Sequence, residues 1–299
     1  MKRLFPVLAI LGAGALLLLH PEAASEAVRR GLTLCFRTVI PSLFPFFVVV
    51  SLLLKLGMAD YLQWLCAPFM GPLFRLKGVC AMPLLTGLLG GYPSGAKAAA
   101  ELYSQGQVSR QEAELLLGFC NNCGPAFILG YVGAGIFRDQ RAGGWLFLIH
   151  AAAALVAGMV LSRIKKDRGP ALLRSNLPVK PVRFPEALTL SVSGALGSTL
   201  QICAFVVLFQ VLSALLPPET PGMALGVLEM VTGIAALEPG RTGFIAAAAI
   251  VGWGGLSVHC QALSVTAPAG LSFRWHWIGK AMQAGLSAVF AAAVSTFLF

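Results

Sequence analysis

Runs of apolar residues fill most of this chain, separated by short polar breaks. A membrane-spanning helix needs about 20 mostly apolar residues. Candidate runs are Leu4–Leu19, Val39–Leu56, Val79–Leu102, Leu115–Phe137, Trp145–Leu161, Leu188–Leu216, Met223–Leu237, Phe244–Ala267 and Ile278–Leu298. Some of these are too short or too interrupted to be simple spans. The pattern predicts an all-α polytopic membrane protein with about seven to nine membrane segments. Leu62–Leu76 mixes Trp64, Phe69 and Phe74 with two prolines and ends in Arg75 and Lys77, which suits a helix lying along the interface.

The interruptions carry more information than the runs. Gly90-Gly91-Tyr92-Pro93-Ser94-Gly95-Ala96-Lys97 and Cys120-Asn121-Asn122-Cys123-Gly124-Pro125 break apolar segments in the first half. In the second half the breaks are Thr232-Gly233 and Gly252-Trp253-Gly254-Gly255-Leu256-Ser257-Val258-His259-Cys260-Gln261. Non-helical backbone at membrane depth is tolerated only where protein or a cavity satisfies the freed polar groups. Broken helices at corresponding places in two halves point to a transporter's binding site.

The halves align as two related repeats. Val39–Leu56 pairs with Ile202–Leu216, Thr86-Gly87 with Thr232-Gly233, Gly118-Phe119 with Gly252-Trp253, and Trp145–Leu161 with Ile278–Leu298. A basic, proline-containing stretch from Arg163 to Arg183 separates them and reads as a cytoplasmic linker. The expected organisation is an N-terminal membrane helix and linker (1–32), a first repeat (33–165), the basic linker (166–187) and a second repeat (188–299). If the first helix spans, the two repeats have inverted topology. Leu4–Leu19 behind Lys2-Arg3 also resembles a signal peptide with Ala23-Ala24-Ser25 as its cleavage site. We favour a retained helix, because the rest of the chain already requires membrane insertion.

Composition agrees. The chain of 299 residues is 57% hydrophobic and 11% charged, with a mean hydropathy of +0.80. A soluble domain carries about 25% charged residues, so much of this surface must face lipid. The net charge of +10 fits the lysine and arginine bias of cytoplasmic loops. No basic stripe interleaved with aromatics suggests nucleic-acid binding. Seven cysteines, mostly within apolar runs, imply no disulfide framework.

The motifs Thr86-Gly87 with Gly91-Tyr92-Pro93-Ser94-Gly95-Ala96-Lys97, then Asn122-Cys123-Gly124-Pro125 with Phe127-Ile128-Leu129-Gly130, then Gly254-Gly255-Leu256-Ser257-Val258-His259-Cys260-Gln261 resemble those of the YlbJ family of sporulation integral membrane proteins. That family belongs to the proteins with "nucleoside recognition" Gate domains. The resemblance runs from about Thr33 to the C-terminus. It implies a Gate-type transporter, and in spore formers the movement of dipicolinic acid from mother cell toward forespore. Composition and spacing show nothing of that substrate.

The candidate solute-binding residues are Gly91, Tyr92, Ser94, Gly95, Lys97, Asn121, Asn122, Gly124, Thr232, Gly254, Gly255, Ser257, His259 and Gln261. At the first break, Ser94 is expected to cap a restarting helix whose positive end, with Lys97 one turn in, suits an anion. The bland reading is a surface loop with Lys97 at the headgroups. Asn121 and Asn122 offer amides to a polar solute, or simply bond neighbouring helices. Neither a redox CxxC nor a metal site is supported at Cys120 and Cys123. In an extended strand Ser257, His259 and Gln261 would point one way; on a helix Ser257 and Gln261 share a face without His259. Glu229, the acid inside Met223–Leu237, and His259 are the candidates for a coupling ion; Glu229 could instead pair with Arg241 or Lys97. His20, His150 and His276 read as interfacial, and Trp253, Trp275 and Trp277 read equally as belt aromatics or ligands. Ser109 and Glu112 form a structural capping box.

Together these predict a secondary-type transporter of a small organic anion in a bacterial cytoplasmic membrane or the outer forespore membrane. Alternatives are a nucleoside-type solute transporter and a non-transporting sporulation assembly protein. Neither an enzymatic role, a cofactor nor a metal is expected. The expected partners are the solute, the bilayer and a coupling proton or sodium. A homo-oligomer is compatible with the sequence.

Overall fold

The computed structural model describes residues 11–164 and 183–299, apart from 13, 16 and 218, and every regular element among them is helical. Most of the expected first helix and the basic linker therefore lie outside the described residues. In order, the helices are α1 (Pro21–Leu34), α2 (Ile40–Leu53), α3 (Ala59–Phe74), α4 (Ala81–Gly90), α5 (Ser94–Ser104), α6 (Arg110–Leu117) and α7 (Ala126–Phe137), the last wound with wide π-type turns. They continue with α8 (Gln140–Ile164), α9 (Phe184–Ser213), α10 (Gly222–Leu228), α11 (Met230–Ala235), α12 (Arg241–Trp253), α13 (Gly255–Thr266) and α14 (Arg274–Leu298).

Among the described residues, four helical stretches are long and apolar enough to cross a membrane: α8, α9, α12 continued into α13, and α14. Trp64–Phe74 of α3 and Gly78–Gly90, which includes all of α4, form a fifth candidate bent by 103°. The chain is a polytopic integral membrane protein. Its outward faces are apolar: Leu190, Leu196, Leu200 and Leu208 of α9 all stand exposed. Tyr61, Trp64 and Phe69 of α3 are exposed as well, consistent with a helix against lipid at the interface.

Several expected runs are not single spans. Val79–Leu102 is a hairpin of α4 and α5, turned at Gly91 to Pro93. Met223–Leu237 is a second, shorter hairpin of α10 and α11 hinged at Glu229. Residues 118–124 unwind between α6 and α7, and Gly254 interrupts α12 and α13. Each half thus holds a hairpin followed by a broken helix. The aligned Thr-Gly pairs fall differently within them: Thr86-Gly87 precedes the first tip, whereas Thr232-Gly233 follows the second.

Small residues allow these pieces to touch. A Cβ on Gly87 or Gly95 would lie 1.7 or 2.0 Å from the Cys120 carbonyl oxygen, so the unwound strand rests directly on both arms of the first hairpin. Gly91, at φ +72°, turns the tip against the backbone of Gly124. Gly254, at φ +92°, makes the second break.

Helix α14 is inside-out by the standards of a soluble protein. It buries His276, Lys280, Gln283, Ser287 and Ser295 completely and exposes Ile278, Val289 and Phe297. The buried positions recur every three or four residues, one face of a helix. Polar groups inward and aliphatic groups outward is the arrangement that lipid, not water, favours.

Candidate functional site

Both hairpin tips and both helix breaks meet around one cavity of about 50 Å³. Gly91 and Tyr92 come from the first tip, and Glu229, Met230 and Val231 from the second. Cys123, Gly124 and Phe127 come from the first break, and Ser257, Val258 and Gln261 from the second. Leu43, Phe46 and Phe47 of α2 and Ile202 and Val206 of α9 close the sides. The walls are mainly apolar and aromatic, with a few converging polar groups, the usual make-up of a small-solute site.

Those polar groups are chiefly acceptors. Glu229 is buried, and its carboxylate caps α11: one oxygen accepts from the Val231 N–H at 3.0 Å, the other from the Thr232 N–H at 2.6 Å and the Thr232 hydroxyl at 2.7 Å. The positive end of that short helix is therefore already neutralised by the chain's own acid. Ser257 stands beside the carboxylate. The side-chain oxygen of Gln261, buried on the same wall, has no hydrogen-bond partner. Because α13 is helical here, Ser257 and Gln261 share the cavity face and His259 points elsewhere. Glu229 pairs with neither of its expected cations, since Arg241 donates to the Ser295 hydroxyl and Lys97 pairs with Glu101.

Behind Tyr92 lies a polar network that sequence reasoning did not find. The Lys280 ammonium, fully buried on α14, donates to the Tyr92 hydroxyl at 3.1 Å, the Asn121 carbonyl at 3.3 Å and the Gln283 side-chain oxygen at 2.7 Å. Tyr92 in turn donates to the Val251 carbonyl at 3.2 Å. The Gln283 amide N–H donates to the Asn122 side-chain oxygen at 2.9 Å, and Asn122 donates back to the Phe119 carbonyl at 2.8 Å. His150 Nε2 accepts the Cys123 backbone N–H at 3.0 Å. Lys280 has no carboxylate partner among the described residues, and three uncharged oxygens use its three protons. A lone buried cation persists only where such bonds offset its desolvation.

The expected residues divide accordingly. Gly91, Tyr92, Gly124, Glu229, Ser257 and Gln261 line the cavity. Asn121 and Asn122 belong to the Lys280 network, and the Asn121 side-chain amide is buried with neither end bonded. Thr232, Gly254 and Gly255 support the second tip and break: Thr232 bonds Glu229, Gly254 abuts the Tyr92 hydroxyl, and Gly255 abuts the Met230 N–H. Gly95 is the seat of the Cys120 carbonyl. Ser94 is the first residue of α5; Pro93 occupies the cap position, with no side-chain bond, so the expected serine cap is absent.

Lys97 stands one turn past the first tip but does not line the cavity. Its side chain is 61% exposed and reaches Glu101 at 4.0 Å, on the wall of a separate, polar cleft between α5, α9 and the end of α13. The residues α5 turns inward are Gly95, Ala96, Ala99 and Ala100, which puts Lys97 on its outer face. His150 and His276 are likewise not interfacial; both are buried within the bundle. The signal for His276, with Lys280 and Gln283, was polar spacing at three and four residues inside an apolar helix. Among the described residues, no group of three or more His, Cys, Asp or Glu could hold a metal ion, and Cys120 and Cys123 are free thiols.

Comparison with known proteins agrees with the resemblance read from the motifs. Residues 36–138 match the Gate family model, described as nucleoside recognition. The chain is 29% identical over 315 residues to the sporulation integral membrane protein YlbJ of Bacillus subtilis (strain 168), an alignment that covers 91% of this chain and 77% of the relative. No solved structure matches. The Gate match covers the first hairpin, the first break and α7.

Proposed function

We propose that this protein is a secondary-type transporter that binds a small solute in the cavity between the two hairpin tips and the two helix breaks. The convergence of all four interruptions on one cavity carries the reading. A purely structural subunit gains nothing from unwinding two helices and turning two hairpins within the membrane, at the cost of their backbone hydrogen bonds. The two hairpin-and-break units would move against one another as inverted halves.

The cavity's lining favours a flat, hydrogen-bond-donating solute of the nucleoside type, which a space of about 50 Å³ admits only once the two units part. Phe46, Phe47 and Phe127 offer ring faces, and Glu229 and Gln261 offer oxygens. The expectation of an anion rested on the positive end of α5 together with Lys97, and Lys97 lies outside this cavity. An organic anion, dipicolinate included, remains the second reading, favoured by Lys280 without a carboxylate partner one side chain behind the wall. The likeness to a sporulation membrane protein supports a place in a sporulating cell's cytoplasmic or outer forespore membrane.

Uptake of labelled uridine and of labelled dipicolinate into proteoliposomes tests this, with wild type and Gln261→Ala. Uridine uptake that the variant loses supports the reading. Dipicolinate uptake alone moves the assignment to the anion. Uptake of neither by inserted protein, across a wider panel of nucleosides and dicarboxylates, overturns the transporter.

A further inference from the structure

His259 on α13 and His276 on α14 are both buried, and Nδ1 of the first lies 2.8 Å from Nε2 of the second. The remaining nitrogen of His276, Nδ1, lies 3.0 Å from the Leu117 carbonyl oxygen. A carbonyl only accepts, so His276 Nδ1 carries a proton. In the neutral pair His276 Nε2 is then an acceptor, and the shared proton sits on His259 Nδ1. That leaves a bare lone pair on His259 Nε2, an atom buried with no hydrogen-bond partner. An unmet buried acceptor costs about 1–3 kcal/mol, which a proton donor or a proton would relieve. Trp253 and Trp277 pack on the His259 ring with centroids at 4.4 Å each, and Phe273 stacks on His276 at 4.0 Å. Trp277 is 37% exposed, so this aromatic cage reaches the outer surface of the bundle.

We propose that the His259–His276 dyad is a proton-binding site that takes one proton at His259 Nε2 and passes its charge to the Lys280 network. The binding step rests on the ring geometry; its consequence rests on the transporter reading above. The lone pair forms an N–H bond with a proton released by a hydronium ion, which leaves as water, and the dyad becomes a cation. Lys280 is one helical turn from His276 on the same face of α14. The dyad's positive charge repels the ammonium across a low-dielectric interior, and the Lys280 hold on Tyr92 and Asn121 weakens. The first hairpin tip is then freed from the first break.

Lys280 is the charged group that faces both rings. Around Lys280 stand Tyr92 from the first tip, Cys120 and Cys123 from the first break, and His150 from α8. Against α14, which itself begins at Arg274, α6 brings Glu114, which accepts from Arg110 and the Ser272 N–H, and α12 brings Arg241, which donates to Ser295; against α13, α9 brings Gln201, bonded to Ser264, which is uncharged. Helix α5 brings Lys97 and Glu101, which face the outer cleft, and the α10–α11 hairpin brings Glu229, which faces the cavity.

Two readouts on purified protein in nanodiscs test the proposal without a solute. The first is tryptophan fluorescence between about pH 8 and about pH 3, a window that extends below the free imidazole range because burial disfavours the charged ring. Wild type should show a one-proton quenching transition, since an imidazolium quenches an adjacent indole. His259→Gln should lose it. Should that variant not insert, Trp253→Phe with Trp277→Phe must lose the transition while Trp145→Phe keeps it. The second is the alkylation rate of Cys123 in a background with the other cysteines replaced, as the ratio of wild type to His259→Gln at each pH. A ratio near one at alkaline pH that rises several-fold on acidification supports release of the hairpin. Absence of the fluorescence transition, its persistence without the reporter indoles, or a flat alkylation ratio overturns the proposal. A transition in a protein that moves no solute would refute the transporter and leave the proton site standing.

Discussion

Lys280 Nζ lies 3.1 Å from the Tyr92 hydroxyl, so the last helix of the chain holds the tip of its first hairpin. The same ammonium takes the Asn121 carbonyl of the unwound first break. One side chain on α14 thus joins hairpin, break and second-half scaffold at the wall of the cavity.

Stability and function should separate at this position. Lys280→Met removes three charge-assisted hydrogen bonds and leaves the Asn121 carbonyl and the Gln283 side-chain oxygen as buried acceptors without a donor, offset in part by the cost of burying an ammonium. We expect unfolding stability to fall by about 1–3 kcal/mol and uptake, corrected for folded protein, to fall by about tenfold or more, a loss of about 1.4 kcal/mol or more in transition-state terms. Thermal unfolding in detergent and proteoliposome uptake on the same preparation measure both. A large fall in stability with proportionate uptake would make Lys280 merely structural.

Glu229→Ala should also lower both. It strips the cap from α11, three accepted hydrogen bonds in all, at about 1–2 kcal/mol for a cap. It also removes an acceptor from the cavity, so uptake should fall beyond what the loss of folded protein explains. Glu229→Gln keeps one amide oxygen as a cap and should recover most of the stability but not the uptake.

The close approach of the first break to its hairpin makes Gly87 and Gly95 intolerant. A methyl group on either meets the Cys120 carbonyl well inside contact distance, and a backbone neighbour cannot swing aside as a flexible side chain can. Gly87→Ala or Gly95→Ala should destabilise by about 3 kcal/mol or more, the upper range for overpacking, and show as lost abundance in the membrane. Gly130→Ala and Gly144→Ala, whose added methyl meets nothing within 4 Å, should express normally.

Lys97→Ala should retain uptake within about twofold, because an exposed ion pair contributes about 0–1 kcal/mol and the side chain lies outside the cavity. Initial rates for Lys97→Ala and Lys280→Met, side by side, test which lysine matters. Equal loss in both would restore the sequence-based assignment.

Three of the four interruptions were legible because glycine, proline and amides within apolar runs are costly at membrane depth unless the helix breaks there against protein or a cavity; the fourth was expected at Thr232-Gly233, which the structure places inside α11. The hinge at Glu229 was legible only as an isolated acid, since neither glycine nor proline marks the turn between α10 and α11. The facing of Lys97 was not legible: Gly95, Ala96, Ala98, Ala99 and Ala100 leave α5 without a polarity pattern to orient it. The network around Lys280 was missed for a different reason. Averaged over a span, His276, Lys280, Gln283 and Ser287 disappear into a hydrophobic helix, and only their spacing betrays one face. Nor can a linear sequence show that this face packs on Asn121 and Tyr92, more than half the chain away.

The most direct test of the cavity assignment is protection of Cys123, which lines the cavity, against alkylation in a background with the other six cysteines of the seven replaced. Labelled uridine, or another nucleoside the protein accumulates, should slow the modification in proportion to its occupancy and with the same half-saturation as its uptake. Accumulation of a solute that leaves the Cys123 rate unchanged at saturation would place the binding site elsewhere and contradict the account.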